Sequence, residues 1–421
     1  MEEHVETKRA PYWKQIIFVL TAGWIVIWIY RTILTPIYPI ISDFFGGATD
    51  ASLGNISSFY FLGYVCMQIP SGILVDRFGK KKILIPGFLL FGAGALIVGV
   101  SQSLSTVFIG SILAGLGCGT YYGVAYSLTT EYVPADKKSL ATAIVNSGTA
   151  VGSGLGLVSS SFLVGEGVLP WQSLLFITAI LIVLMLVVFK KFIRGEEAIA
   201  KKEPAAASKT DSSLRDLFKM PMIAAYVLYF STLYTYYLID TWLPNFLETE
   251  RGFQGTAIGI ASSLVFFTAI PGALFFSRIA DKIPHRKTTI IILLEVLAAS
   301  VLFMTITTKN QTLLIIGIMA YGFLGKLAVE PIIISWLGQF APKKSIATTY
   351  GVFNFFGMSA SVIVPSVTGI ISDATGTKVY AFYLAIGIIF AGTLIFYLIN
   401  KMYQQKENRS DVVETGYKNE G

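Results

Sequence analysis

The chain has 421 residues, of which 54% are hydrophobic and only 14% charged, against about 25% charged in an ordinary soluble domain. Its mean hydropathy is +0.67 and its formal net charge +7. Such a composition argues against a freely soluble enzyme. A membrane-spanning helix needs about 20 apolar residues, so the length accommodates a dozen of them with short loops.

Stretches of roughly 18 or more nearly uncharged residues mark the expected spans. They fall at 15–38, 52–75, 83–101, 105–131, 139–164 and 169–189, and then at 220–246, 255–277, 288–307, 311–338, 345–371 and 379–400. The first run follows residues 1–9 with no small-residue cleavage site, and it reads as a retained span rather than a signal peptide. Residues 190–219 are rich in Lys, Glu, Ala and Ser and read as a linker. The expected organisation is an N-terminal tail (1–14), a six-helix bundle (15–189), the linker (190–219), a second six-helix bundle (220–400) and a C-terminal tail (401–421). The fold class is therefore an all-α membrane protein with twelve transmembrane helices in two pseudo-symmetric bundles.

The distribution of Lys and Arg sets an expected orientation. With the N-terminus inside, 27 of the 32 basic residues fall on inner segments, and only Arg251, Lys309 and Lys378 fall on outer loops. That bias places both termini in the cytoplasm. It also accounts for the positive charge as attraction to an anionic inner leaflet, not as a nucleic-acid footprint. A bacterial or archaeal plasma membrane suits the short outer loops.

Two internal matches suggest duplicated halves. Lys137, Lys138, Ser139, Leu140, Ala141 and Thr142 recur as Lys343, Lys344, Ser345, Ile346, Ala347 and Thr348, and Asp76 and Arg77 recur as Asp281 and Lys282. Parallel six-helix halves with a midplane site between them are one established transporter plan.

The loop between spans 2 and 3 reads Gly72, Ile73, Leu74, Val75, Asp76, Arg77, Phe78, Gly79, Lys80, Lys81, Lys82. It resembles the signature loop of the major facilitator superfamily. The second-half copy keeps Asp281 but has Pro284 where Gly79 stands. The resemblance implies a loop that gates movement by latching the halves in the outward-open state, with Gly72, Asp76, Arg77, Gly79 and Asp281 as its working residues. The glycines are expected to permit a tight turn and close helix approach.

A narrower match runs from Tyr237 through Trp242, Pro244 and Arg251 to Phe253. It is similar to the end of helix 7 in the anion:cation symporter branch, which includes sugar-acid permeases. Tyr30 and Arg31 stand where that branch often has an Asp-Arg pair. The branch's helix 4 Arg and Glu appear here as Ser111 and Cys118, and a helix 7 arginine aligns with Thr232. Proton coupling must then use another residue.

Charges inside spans are costly and usually functional. Arg31 lies about 25 Å along the first span at the usual helical rise, and its guanidinium can grip a carboxylate through two hydrogen bonds. A structural pair with Asp240, or snorkelling, is the plainer alternative. Lys326 lies near the middle of span 10. Glu330, four residues on, shares its face, either as a permanent partner or as a proton carrier released when an anion draws Lys326 away. Pro331 is expected to loosen the backbone there. Glu295 in span 9 is expected to pair with the inner loops, Glu131 with Lys137 or Lys138, and Asp240 to serve as an outer gate.

Tyr122, Tyr234 and Tyr237 are candidate cavity-wall residues, and Asn146 and Asn354 candidate partners for substrate hydroxyls or for neighbouring helices. Trp13, Trp171 and Trp242 read as interface-belt residues. Gly148, Gly152, Gly154 and Gly156 are spaced for close helix packing.

No phosphate-binding GxxxxGK[ST] run, CxxC or HExxH occurs. No cofactor, metal site or catalytic constellation is expected, and the chain does not read as an enzyme. The function expected is proton-coupled uptake of a small organic anion, a monocarboxylate or sugar acid, with Arg31 and Lys326 binding the carboxylate and Glu330 carrying the proton. One chain contains both halves, so a monomer suffices. The alternatives are a proton-coupled exporter of drugs or metabolites, against which the missing proline of the antiporter signature counts, and a non-transporting sensor.

Overall fold

The computed structural model describes residues 11–134, 138–194, 217–340 and 346–419. Lys137, Lys343, Lys344 and Ser345 of the repeated motif, and most of the 190–219 linker, lie outside them, as does the Asp76 side chain. Among the described residues the regular structure is entirely helical. Twelve helical stretches, from Tyr12–Phe44 to Val379–Tyr403, are long and apolar enough to cross a membrane, one for each stretch expected from hydropathy.

In chain order the helices are α1 (Tyr12–Thr32), α2 (Tyr38–Phe44), α3 (Asp50–Phe78), α4 (Lys80–Gly99), α5 (Leu104–Tyr132), α6 (Lys138–Ser160), α7 (Gln172–Phe192), α8 (Met220–Arg251), α9 (Thr256–Lys282), α10 (Lys287–Thr307), α11 (Gln311–Leu324), α12 (Lys326–Leu337), α13 (Ile346–Thr375) and α14 (Val379–Asn419). Two spans are broken. The first changes to a 3₁₀ turn at Thr35–Ile37 between α1 and α2, where Pro36 has no backbone N–H to offer the helical ladder. The tenth breaks at Gly325, whose ψ of −149° leaves the helical region. Pro331, the expected point of loosening, lies inside α12, which continues through it to Leu337. The break comes six residues earlier, at a position where an added Cβ would lie 2.8 Å from the Tyr321 carbonyl oxygen.

The chain divides into two compact units. The first comprises Met1–Ile37 and Phe59–Ile199. Within it α1 packs on α6, and α4 packs on both α5 and α7. The α1–α6 seam depends on small residues. A Cβ at Gly152 would lie 2.5 Å from the Ile25 carbonyl oxygen, and one at Gly148 2.6 Å from that of Thr21. This is the close packing that the glycine spacing in span 5 implies.

The loop between α3 and α4 turns at Gly79, whose φ of +91° favours glycine. At Gly72, among the described residues, no atom outside its own helix backbone and chain neighbours lies within 4 Å of where a Cβ would stand. Arg77 is exposed and lies 5.2 Å from the Phe78 ring. Asp281 is also exposed. Glu131 pairs with Lys80, because the turn at Gly79 brings the start of α4 beside the end of α5; the Lys137 and Lys138 side chains, its expected partners, lie outside the described residues.

The second unit comprises Tyr38–Ser58 and Ala200–Gly421. Its most enclosed helix is α8, buried at every residue from Ser231 to Leu247 and packed on α13 and α14. Helix α10 packs on α11, α12 and α14. Residues 38–58 join this unit through polar contacts. The Asp373 carboxylate accepts the backbone N–H of Asp50 at 2.8 Å and of Ala51 at 2.9 Å, an anion at the positive end of α3. Lys378 reaches Asp50 at 2.7 Å, and Ser366 donates to Asn55 at 2.6 Å.

Two tryptophans expected in the interface belt are core residues. Trp242 is fully buried, and its indole N–H donates to the Pro365 carbonyl at 3.0 Å. Trp171 is 3% exposed. Each fills a helix junction where an indole's large apolar body is enclosed.

The α1–α6 seam gives a direct check. Gly152→Val forces a side chain into the α1 backbone and is expected to lower thermal stability in detergent by an amount equivalent to about 1–3 kcal/mol of overpacking. Gly387→Ala, at a position with open space around it, should leave the melting curve unchanged.

Candidate functional site

Arg31 lies in the last turn of α1, one residue before the helix ends at Thr32, and is 8% exposed. Its Nε donates to the Tyr60 hydroxyl at 3.0 Å, and that hydroxyl donates to the Cys118 sulfur at 3.1 Å. The guanidinium lies 4.4 Å from the ring centroids of Trp28 and Tyr64, and 5.2 and 5.4 Å from those of Phe61 and Tyr60. Each ring face presents negative charge to the cation, worth about 0.5 to 2 kcal/mol depending on desolvation. Arg31 is therefore held inside the first unit by α1, α3 and α5, and it is enclosed, not snorkelling. The aromatic residues around it were not foreseen. Trp28 stands three residues before Arg31 and so on its helical face, but Tyr60 and Tyr64 come from α3 and carry no sequence signal.

Lys326 is the first residue of α12, immediately after the break at Gly325. Its ammonium is 2.9 Å from the Glu330 carboxylate, and both side chains are only partly accessible, at 16% and 21%. The same ammonium lies 5.1 Å from the ring of Tyr236 on α8. The Tyr229 hydroxyl donates to the other Glu330 oxygen, and the Tyr229 ring stacks on Phe353 of α13 at 4.0 Å. The i,i+4 pairing read from sequence is present. The cross-helix clamp by Tyr229 and Tyr236 is an addition that only the fold supplies.

The other candidates are less concentrated. Tyr237 is buried, and its hydroxyl donates to the Met358 sulfur at 3.2 Å. Tyr234 is 4% exposed with its ring 6.1 Å from that of Phe230. Both are buried side chains on α8. Tyr122 is 39% exposed, edge-on to Trp24 at 6.4 Å. Asn146 is exposed on α6, and Asn354 is half-buried on α13. Asp240 is 3% exposed within α8. It is enclosed there, while the half-buried Glu250 and Asp50 meet at Lys378, Glu250 accepting its backbone N–H at 2.6 Å and Asp50 its ammonium at 2.7 Å.

Glu295 departs furthest from expectation. It is 1% exposed, and the Thr232 hydroxyl on α8 is its hydrogen-bond partner. Among the described residues it pairs with no loop cation. Its position, about 12 Å along α10 from Lys287 at the usual rise, keeps the short carboxylate stem from reaching the helix end.

A family model described as Major Facilitator Superfamily matches residues 20–365 and 256–415. A D-galactonate transporter of Escherichia coli O6:H1 is 24% identical, over 84% of this chain and 87% of its own. A 3-(3-hydroxy-phenyl)propionate transporter of Escherichia coli K12 is 25% identical, over 83% and 85%. Among solved structures, a bacterial homolog to the human lysosomal transporter Spinster, in an inward-facing and occupied conformation, superposes with a TM-score of 0.77 at 14% identity, covering 93% of this chain and 98% of that one.

The Lys326–Glu330 pair predicts a non-additive stability series. Glu330→Gln leaves a partly buried ammonium without its counter-charge and is expected to cost about 1–3 kcal/mol, less than for a fully buried pair. The double change Lys326→Met with Glu330→Met removes both charges and should recover most of that loss. A detergent melting series reads both effects.

Proposed function

The chain belongs to the major facilitator superfamily, a family of membrane transporters, and on that premise we propose that it takes up a small organic anion, a monocarboxylate or sugar acid, together with a proton by alternating access. The observation that carries this reading is the placement of Lys326. It sits at the first position of a half-helix that begins mid-span, 2.9 Å from Glu330. The positive end of that half-helix and the ammonium both favour an anion. An arriving carboxylate competes with Glu330 for Lys326. Once released, Glu330 keeps only its neutral hydroxyl partner Tyr229 and takes up a proton, which ties anion binding to proton binding.

Arg31 in the other unit is the second cation assigned to carboxylate recognition, with its fork held in a fixed orientation by Tyr60 and the surrounding rings. Tyr122, Asn146 and Asn354 are the polar side chains offered to substrate hydroxyls, and Tyr234 and Tyr237 shape the packing of α8. Gly72, Asp76, Arg77, Gly79 and Asp281 form the gating loops. The 27-to-3 bias of basic residues supports a cell-membrane protein with both termini cytoplasmic, working as a monomer. The two transporters named above act on carboxylic acids, which supports the substrate class.

Proteoliposomes test this with labelled D-galactonate and 3-(3-hydroxyphenyl)propionate under an inward proton gradient. A thermal-shift screen of carboxylates, sulfonates, sugars and cationic drugs precedes it, since a ligand of the folded state raises apparent stability. Arg31→Ala and Lys326→Ala are each expected to abolish uptake at normal expression. Glu330→Gln should keep anion exchange but lose pH-driven accumulation. Normal accumulation by either alanine variant removes that residue from the mechanism, and stabilisation by cationic drugs alone removes the anion reading.

A further inference from the structure

Glu295 is the one acid among the described residues that is buried to 1% exposure, and the Thr232 hydroxyl is its hydrogen-bond partner. The elements packed against α10 bring it no counter-charge. From α8 it meets the Thr232 hydroxyl, and from α11 the Tyr321 phenol is the titratable group beside it. On α12, Lys326 and Glu330 are paired with each other, and Lys287 at the start of α10 bonds Ser335 at 2.7 Å. His285 and Arg286 are exposed beyond that helix end, about 13 Å away along the helix axis. On α14 no charged residue occurs from 379 to 400, and Tyr380, Tyr383 and Tyr397 are exposed. Among the described residues no cation pairs with Glu295.

An ionised carboxylate in that setting would lack both solvent and counter-ion, the most costly way to bury a charge. The hydroxyl geometry points the same way. Thr232 has one proton to give, and its oxygen lies 3.0 Å from the Leu228 carbonyl oxygen, an acceptor only. The same hydroxyl also reaches the Glu295 carboxyl, so two acceptors face one hydroxyl proton, and a proton on the carboxyl lets both contacts be hydrogen bonds. The group also stands at a mechanically relevant place. Tyr321 accepts the Gly325 N–H at 2.8 Å through its carbonyl, and Lys326 follows at once.

We propose that Glu295 is a proton-binding site of the second unit, separate from the Lys326–Glu330 pair, which holds a proton in this conformation and exchanges it with solvent when the unit opens. The proton occupies the carboxyl oxygen that faces Thr232. Its removal would leave an anion beside Tyr321, one turn from the break in the tenth span. The proposal goes beyond the anion-uptake reading and does not require it.

Infrared difference spectroscopy of the purified full-length chain in lipid nanodiscs, without substrate, is the test. A protonated-carboxyl carbonyl band is expected at neutral pH. It should vanish in Glu295→Gln, persist in Glu330→Gln, shift in D2O, and bleach as the solution is made alkaline while the protein stays monodisperse. Thr232→Val keeps the acid but removes its hydroxyl partner and should move the band to higher frequency, which covers the case of a Glu295→Gln variant that does not fold. Absence of the band in the unmodified protein, or a band indifferent to both variants, overturns the proposal. A band that neither titrates nor responds to D2O overturns exchange and leaves a fixed structural proton. Because no substrate is present, failure of anion uptake in proteoliposomes leaves this result standing, and the reverse also holds.

Discussion

A charge enclosed by apolar helices must be met by the protein that encloses it, because no water is at hand to do so. This chain uses three different means. Lys326 and Glu330 meet each other on one helical face. Arg31 is met by ring faces and a phenol oxygen. Glu295 has a hydroxyl alone, and its economical state is neutral.

The break at Gly325 links two of these arrangements. It gives Lys326 a helix start of its own, and it places the Tyr321 carbonyl, phenol ring and the Glu295 carboxyl just before that start. A lysine at a helix N-terminus opposes the local dipole, an electrostatic mismatch that Glu330 at 2.9 Å counters. An intact helix across residues 324–327 would have no such mismatch, and span 4, the counterpart in the first half, runs unbroken through α5.

The spans were legible because hydrocarbon thickness imposes a length and a near-absence of charge that no other constraint mimics. Helix interruptions were not. Pro331 is the conspicuous residue in span 10, yet the neighbouring turns accommodate it, while an unremarkable glycine takes the dihedral change. Among site residues, Lys326 with Glu330 could be read from spacing along one helix. The Tyr60 and Tyr64 contacts to Arg31, and Thr232 with Glu295, join residues 29 or more positions apart, and hydropathy does not encode such pairings. Glu295 was misjudged because α10 is apolar on every side, so periodicity does not reveal which face is buried. Trp242 was misjudged because an indole near a span end resembles a belt residue until its N–H is seen bonded to Pro365.

The aromatic setting of Arg31 also bears on how the protein responds to its surroundings. Mobile ions weaken attraction between charges they can approach, over a Debye length of about 8 Å at physiological ionic strength. The Asp50–Lys378 contact, with Asp50 23% accessible, lies within their reach. The arginine, walled in by Trp28, Tyr60, Phe61 and Tyr64, does not. In brine, the fastening of residues 38–58 should slacken while the guanidinium keeps its orientation, so salt concentration separates the two kinds of contact without any change to the sequence.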